Sequence, residues 1–530
     1  MREYNVILHK GIDYDEFWND MESDTDGGKL YIPNRAVEYT NERPASLRQC
    51  WYRLTDEEAE ILRADDRVLA VEIPPEHRDD IFIGRNAVQY GDFTKTTSDS
   101  GPYINWGLIR SNSRTNPYGT GTTTTNSYLY NLTGEGVDVV IQDSGLQVDH
   151  PEFEDEDGNS RVQQIDWYAA SGIAGTQSVN HYRDYDGHGT HVAGTVAGKR
   201  YGWAKNAKVY SVKVNGLEGS GDSGTGISIT DCFDVIKGWH NNKPIEPTTG
   251  VKRPTVVNMS WGYGTFYNSV SEINYKGEAV TGSITTAAER EVYGLINNSG
   301  AYAGYTYATN VRVASVDTDV DELIDAGVVV CIAAGNRGHK VEIYSGSDWS
   351  NYAVTSPFGT IYYHQGSSPY SSGSFMVGNM DSSMTGSLEM KAVSSECGPG
   401  VDIYAAGTNI MSCTSDTNQW GVGSQNYYWD ASYKQTNISG TSMASPQVAG
   451  ICALMLEANP EATPESIKTA LCSNSGDDNL YYSGFFEDYT NRRSIMSTNR
   501  RIAHNRFGVS ELSFVVEGPG QIIDASLNLD

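Results

Sequence analysis

Three short stretches carry residue types that together could break an acyl bond. Val139-Val-Ile-Gln-Asp-Ser-Gly145 ends an apolar run in Asp143 and a glycine turn. Alone, a strand-terminal aspartate is more often a turn former or a helix cap. Asp186-Gly-His-Gly-Thr-His-Val-Ala-Gly194 sets His188 at the start of a small-residue helix, and imidazole is the usual proton shuttle near neutral pH. Ile438-Ser-Gly-Thr-Ser-Met-Ala-Ser-Pro-Gln-Val-Ala-Gly450 places Ser442 behind a glycine turn at the N-terminus of an apolar helix. Free backbone NH groups and the helix dipole there favour a developing negative charge. An N-cap serine is the plainer reading of that motif taken singly. His188 and His191 could also be a metal pair, but neither an HExxH signature nor a further His/Cys cluster supplies more ligands.

Such groups collect at the ends of strands in an open α/β sheet. The runs Val137–Ile141, Val209–Val214, Val256–Met259 and Val328–Ala333 are nearly continuous in apolar residues and are separated by helix-compatible stretches. They predict an α/β unit, a parallel sheet flanked by helices on both faces. Thr122–Thr125, Tyr263–Gly300 and Gly338–Ser374 are polar or Gly/Ser/Tyr-rich and read as loops or insertions. Before them, a run at Tyr4–Leu8, helix starts at Asp13/Glu16 and Thr55/Glu58, and a strand at Arg67–Ile73 stopped by Pro74-Pro75 predict a small α+β unit. The expected division is a unit over 1–75, a polar linker over 76–103, the α/β unit over 104–475 and an extension over 476–530. The extension carries Arg492, Arg493, Arg500, Arg501 and Arg506, expected to dock on an acidic body.

The chain has 530 residues, too many for one compact core. With 38 Lys and Arg against 67 Asp and Glu, its formal charge of −29 gives no electrostatic reason to bind nucleic acid or anionic lipid. No run approaches the ~18 apolar residues of a membrane span, and residues 1–11 lack the apolar core of a signal peptide. The cysteines, Cys50, Cys232, Cys331, Cys397, Cys413, Cys452 and Cys472, include no CxxC pair and are odd in number, which resists a full disulfide framework.

In their order, Asp then His then Ser, and in their flanking residues, the three motifs resemble those of the subtilisin-like serine proteases. HPEF at His150–Phe153, YGWAK at Tyr201–Lys205 and VDIYAAGT at Val401–Thr408 are similar to the proteinase K-like branch, and the resemblance spans residues 104–475. It implies that Ser442 is the nucleophile, His188 the base and then the acid, and Asp143 the group that orients the imidazole. Val328–Asn336 resembles the family strand ending in the oxyanion-hole asparagine, so Asn336 is the implied donor. Gly219-Ser220-Gly221 and Ser260-Trp261-Gly262 resemble the two edges that clamp an extended peptide. Asp402 matches a calcium-binding aspartate whose other ligands are mainly carbonyls and water, a plain solvated carboxylate being the alternative. The chemistry itself needs no cofactor.

Leu54–Glu72 resembles the inhibitory propeptides of the family and Asn105–Arg110 the start of a mature enzyme. The expectation is therefore a self-processing serine endopeptidase acting on polypeptides, cut between Ile73 and Tyr103 and held by its own prodomain. The rival classes are an inactive or self-cleaving-only scaffold and a metal-dependent hydrolase. Four departures stand out. Gln142 takes an apolar position before Asp143, Trp261 replaces a leucine, Gln447 replaces a histidine, and a long insertion follows Gly262.

Overall fold

The computed structural model describes the chain apart from residues 23–31, 33–34, 38, 42, 44, 79, 86–87, 90–104, 119–129, 215, 218, 220–225, 282–285, 298–304, 357, 386–387, 420–423, 476–479, 482–488, 490–492, 497–499, 506–513, 517–521 and 526–530. Much of the expected linker, Thr122–Thr125, Arg492 and Arg506 thus lie outside the described residues.

The first 77 residues build an antiparallel sheet from β1 (Arg2–Leu8), β2 (Tyr39–Asn41), β3 (Gln49–Leu54) and β4 (Val68–Glu72) in the order β2-β3-β1-β4. Helices α1 (Tyr14–Glu22) and α2 (Asp56–Arg63) bury Phe17, Met21, Ala59 and Leu62 in a core shared with Val6, Leu8, Tyr52 and Leu54. Both helix starts follow the sequence signals. Asp13 accepts from the Glu16 amide at 3.0 Å, and Thr55 with Glu58 completes a capping box. The short edge strand β2 was not anticipated, because a three-residue polar segment carries no alternation to read.

Two further strands, β5 (Phe82–Arg85) and β6 (Val88–Gln89), lead away from this unit. The large sheet then runs through β7 (Asp138–Asp143), β8 (Val162–Gln163), β9 (Lys208–Lys213), β10 (Thr255–Met259), β12 (Val329–Ala333), β13 (Phe375–Thr385), β14 (Leu388–Lys391) and β15 (Ile403–Ala406). Its spatial order is β14-β13-β12-β10-β7-β9-β8, with β15 also on β13, and all pairs are parallel except β13 with β14. Strands buried on both faces need apolar residues at every position, which is why the four runs were legible. Helices α3 (His188–Ala197), α4 (Asp231–Asn241), α5 (Ala314–Asp325), α6 (Thr441–Ala458) and α7 (Pro464–Asn474) cover it. Two more strands stand apart from that sheet: β11 (Trp261–Tyr267) continues almost directly from β10, and β16 (Lys434–Ser439) leads into α6.

The two stretches expected to be loops are partly folded on one another. Strand Val270–Tyr275 pairs with Tyr352–Thr355, flanked by Glu278–Ala279 and Gly359–Tyr362, over a small core of Tyr267, Ile273, Leu295, Tyr307, Ala353 and Tyr363. Tyrosine reads as polar in composition yet supplies the apolar face here. Part of the C-terminal extension packs on the main unit: Ile502 bridges to Tyr404, Arg493 pairs with Asp381 at 2.7 Å, and Tyr489 stacks on His364. None of the seven cysteines forms a disulfide. Among the described residues no helix is long and apolar enough to cross a membrane.

Gln142 lies on β7 between Met259 of β10 and Val212 of β9, fully buried, and neither end of its amide has a hydrogen-bond partner among the described residues. An unsatisfied buried polar group costs about 1–3 kcal/mol. Gln142→Leu, close in size, is expected to raise the unfolding free energy in urea by an amount in that range, as a higher midpoint at an unchanged m-value; a lowered midpoint would show that the amide is usefully bonded.

Candidate active site

Strand β7 ends in Asp143 and helix α3 begins with His188, and the two backbones meet closely. A Cβ on Gly189 would lie 2.2 Å from the Gly145 carbonyl oxygen, so only glycine allows the helix to approach the turn. Across that contact His188 Nδ1 reaches Asp143 Oδ1 at 2.8 Å, both side chains wholly buried. The same Asp143 oxygen accepts the Ser144 amide at 2.7 Å. With Nδ1 donating to the carboxylate, Nε2 is the basic nitrogen.

A second carboxylate fixes this junction. Asp184 Oδ1 accepts from Ser144 Oγ at 2.9 Å and from the amides of Asp186 and Gly187, while its Oδ2 accepts from the Thr190 amide and hydroxyl. Ser144 Oγ in turn accepts the Gly189 amide at 2.8 Å. Asp184, Ser144 and Asp186, which accepts the His188 amide at 3.2 Å, thus share the orphan donors at the start of α3, and the Ser144–Asp184 bond ties them to the β7 turn. Sequence reasoning passed over both residues. The available signal was an aspartate two places before the Asp186-Gly-His motif.

Ser442 sits in the first turn of α6, fully buried. Its hydroxyl donates to the Ser260 carbonyl at 3.0 Å, and Ser260 Oγ donates back to the Ser442 carbonyl at 2.9 Å. Asn258 and Ser445 extend the link, Asn258 Nδ2 donating to Ser260 Oγ and Ser445 Oγ to Asn258 Oδ1, both at 2.8 Å. The structure thus joins Ser442 to the β10–β11 junction, whereas His188 Nε2 has no hydrogen-bond partner among the described residues. Helices α3 and α6 pack directly on one another. At the exit of β12, Asn336 Oδ1 accepts the Thr441 amide at 2.9 Å, which leaves its NH2 as the donating end beside the start of α6.

His191 takes no part. Its Nε2 lies 3.0 Å from the Ile410 carbonyl and 3.2 Å from that of Thr436, and burial pushes its pKa down to about 3, so it is a neutral donor inside the core. The rings of His188 and His191 are committed to different partners. Gln447 accepts from Trp203 Nε1 and exchanges two bonds with Asn105, pinning the Asn105–Arg110 segment to α6.

Of the expected substrate edges, Ser260, Trp261 and Gly262 run from the end of β10 into β11, Trp261 buried against Phe233 and Tyr263. Gly219 passes close to the Tyr185 carbonyl, and Ser220 and Gly221 lie outside the described residues. Asp402 accepts the Met376 amide at 2.8 Å and pairs with Lys468 Nζ at 2.9 Å. That neighbour does not suit a calcium ligand, since a cationic side chain already stands against the carboxylate.

The N-terminal unit reaches toward the same region. β5 pairs antiparallel with β11, Arg85 opposite Trp261 and Gly84 opposite Gly262, and β6 pairs with β16, Val88 opposite Ser439. Behind these strands Arg43, wholly buried, binds Asp234 of α4 at 2.9 Å and Asp319 of α5 at 2.7 Å. Glu72 accepts the Ala314 and Ser315 amides at the start of α5, and Glu76 the Ile229 amide ahead of α4. Burial raises the pKa of both glutamates.

Comparisons with known proteins bear on the family and the fold. A subtilisin-like protease of Coccidioides posadasii is 29% identical over 386 residues, 73% of this chain and 56% of that protein. An extracellular serine proteinase of a Thermus species is 28% identical over 428 residues, covering 81% of this chain and 70% of the relative. Fervidolysin from Fervidobacterium pennivorans, a keratinolytic enzyme related to subtilisin, shares the fold with a TM-score of 0.51 at 19% identity, over 95% of this chain and 60% of its own. The subtilase family model matches residues 134–509, well over half of the sequence, and the chain belongs to that family.

Proposed function

We propose that the protein is a serine endopeptidase that hydrolyses polypeptides through an acyl-enzyme on Ser442 and is made as a zymogen held by its own N-terminal unit. The observation that carries this reading is the buried 2.8 Å bond from His188 Nδ1 to Asp143, on a helix packed against the one whose first turn holds Ser442. The reading requires the Ser442 hydroxyl to leave the Ser260 carbonyl and bond His188 Nε2; such bonds commonly tighten only when substrate binds. Nε2 then takes the hydroxyl proton as Oγ attacks the carbonyl carbon, and Asp143 stabilises the imidazolium. The oxyanion is met by the Asn336 NH2 and the Ser442 amide. His188 returns the proton to the departing amine, and water repeats the sequence to release the acid. An inactive scaffold would be expected to lack one of these groups, and Asp143, His188, Ser442 and Asn336 are all present.

The zymogen reading draws on the strand pairings. A peptide added antiparallel to a sheet edge is held by its backbone as a substrate would be. The chain leaves β11 at Arg85 and meets β16 at Val88, so the cut is expected within that span. Asn86 and Ala87 themselves lie outside the described residues.

Purified wild-type protein is expected to show a new N-terminus within Arg85–Val88 by terminal sequencing, and Ser442→Ala to remain one chain. Maturation of Ser442→Ala at the same bond with no other protease present would remove the case for self-cleavage. On a casein-like substrate, Asn336→Ala is expected to lower kcat by about 10²- to 10³-fold with little change in KM, the usual loss for one oxyanion donor. An unchanged kcat would take Asn336 out of the mechanism.

A further inference from the structure

The surroundings of Asp402 hold more than one ion pair. Lys468 Nζ, from α7, lies 2.9 Å from Asp402 Oδ1, 2.9 Å from the Ser372 carbonyl and 2.6 Å from the Ser374 carbonyl. An ammonium has three donors, and here each has one oxygen to bind. The oxygens are fixed independently of the lysine. Asp402 Oδ2 takes the Met376 amide and its own amide binds the Met376 carbonyl, while Ser371 and Ser374 close the turn between them through the Ser374 hydroxyl. Lys468 is equally constrained, since its neighbours Ile467 and Leu471 are buried beneath α7 and the helix start is capped by Thr463.

A carboxylate and two backbone carbonyls converging on one point are hard oxygen donors of the kind that bind calcium. In this chain the point is filled by the protein's own cation, and the charges of Asp402 and Lys468 cancel. We propose that the Lys468 ammonium replaces a bound divalent cation at this locus, joining α7 to the 372–376 turn and the start of β15, so that this junction needs no calcium. The replacement can arise because α7 crosses the turn at the register that aims residue 468 into the oxygens, a relation invisible in sequence over the distance from Asp402.

The test counts bound calcium by equilibrium dialysis on the full-length chain in the Ser442→Ala background, which removes self-digestion. Lys468→Met keeps most of the aliphatic stem and removes the charge. It is expected to bind one calcium more than its parent, to unfold at a lower temperature in chelator, and to recover part of that loss with millimolar calcium. Adding Asp402→Asn to Lys468→Met is expected to abolish the extra ion. Equal calcium counts with and without Lys468→Met would overturn the proposal. Should Lys468→Met fail to fold, Asp402→Asn alone decides: an unchanged calcium count supports the replacement, and loss of a bound calcium from the parent overturns it.

Discussion

The site depends on how closely the start of α3 can lie against the turn that ends β7. Any side chain at residue 189 would collide with the Gly145 carbonyl, and without that approach the imidazole of His188 could not reach a carboxylate held rigidly on the central strand. Hydrogen bonds from Ser144 and into Asp184 then lock what the glycine permits. Backbone proximity and the buried Asp184 carboxylate, with both oxygens bonded, thus do together what neither would do alone. The acid that touches the histidine is set by the sheet, and the acid beside it sets the helix.

A similar division governs the N-terminal unit. Its sheet and helices have a core of their own, yet its attachment to the main unit is largely polar: Arg43 between Asp234 and Asp319, and two glutamates on the helix amides of α4 and α5. Buried pairs of this type add less to stability than their geometry suggests, because both charges are desolvated, but losing one partner is costly. Beyond these contacts, β5 and β6 pair with the strand that follows Ser260 and with the strand that leads into α6.

The central strands were legible because burial on both faces forces unbroken apolar runs. Asp143, His188 and Ser442 were each ambiguous alone and were singled out by the resemblance of their three motifs, in order and flanking residues, to one family. Asp184 and Ser144 escaped notice, since polar residues in a loop look alike until their partners are known. The folded insertion was missed because tyrosine and serine were read as polar, whereas tyrosines here line a small core. Arg43 stands in an unremarkable polar segment, and only the packing of two units shows that it is wholly buried. Asp402 was noticed for its likeness to a metal ligand; its lysine partner, on another helix, could not be.

The central claim is that His188, oriented by Asp143, activates Ser442. Treatment with a serine-directed organofluorophosphate followed by peptide mass mapping tests it most directly, with His188→Ala treated in parallel. The expected result is a single phosphoryl adduct on Ser442 that parallels loss of casein hydrolysis, and no adduct on the His188→Ala chain. Labelling of Ser442 that proceeds equally well without His188, or hydrolysis that survives full labelling, would contradict the account.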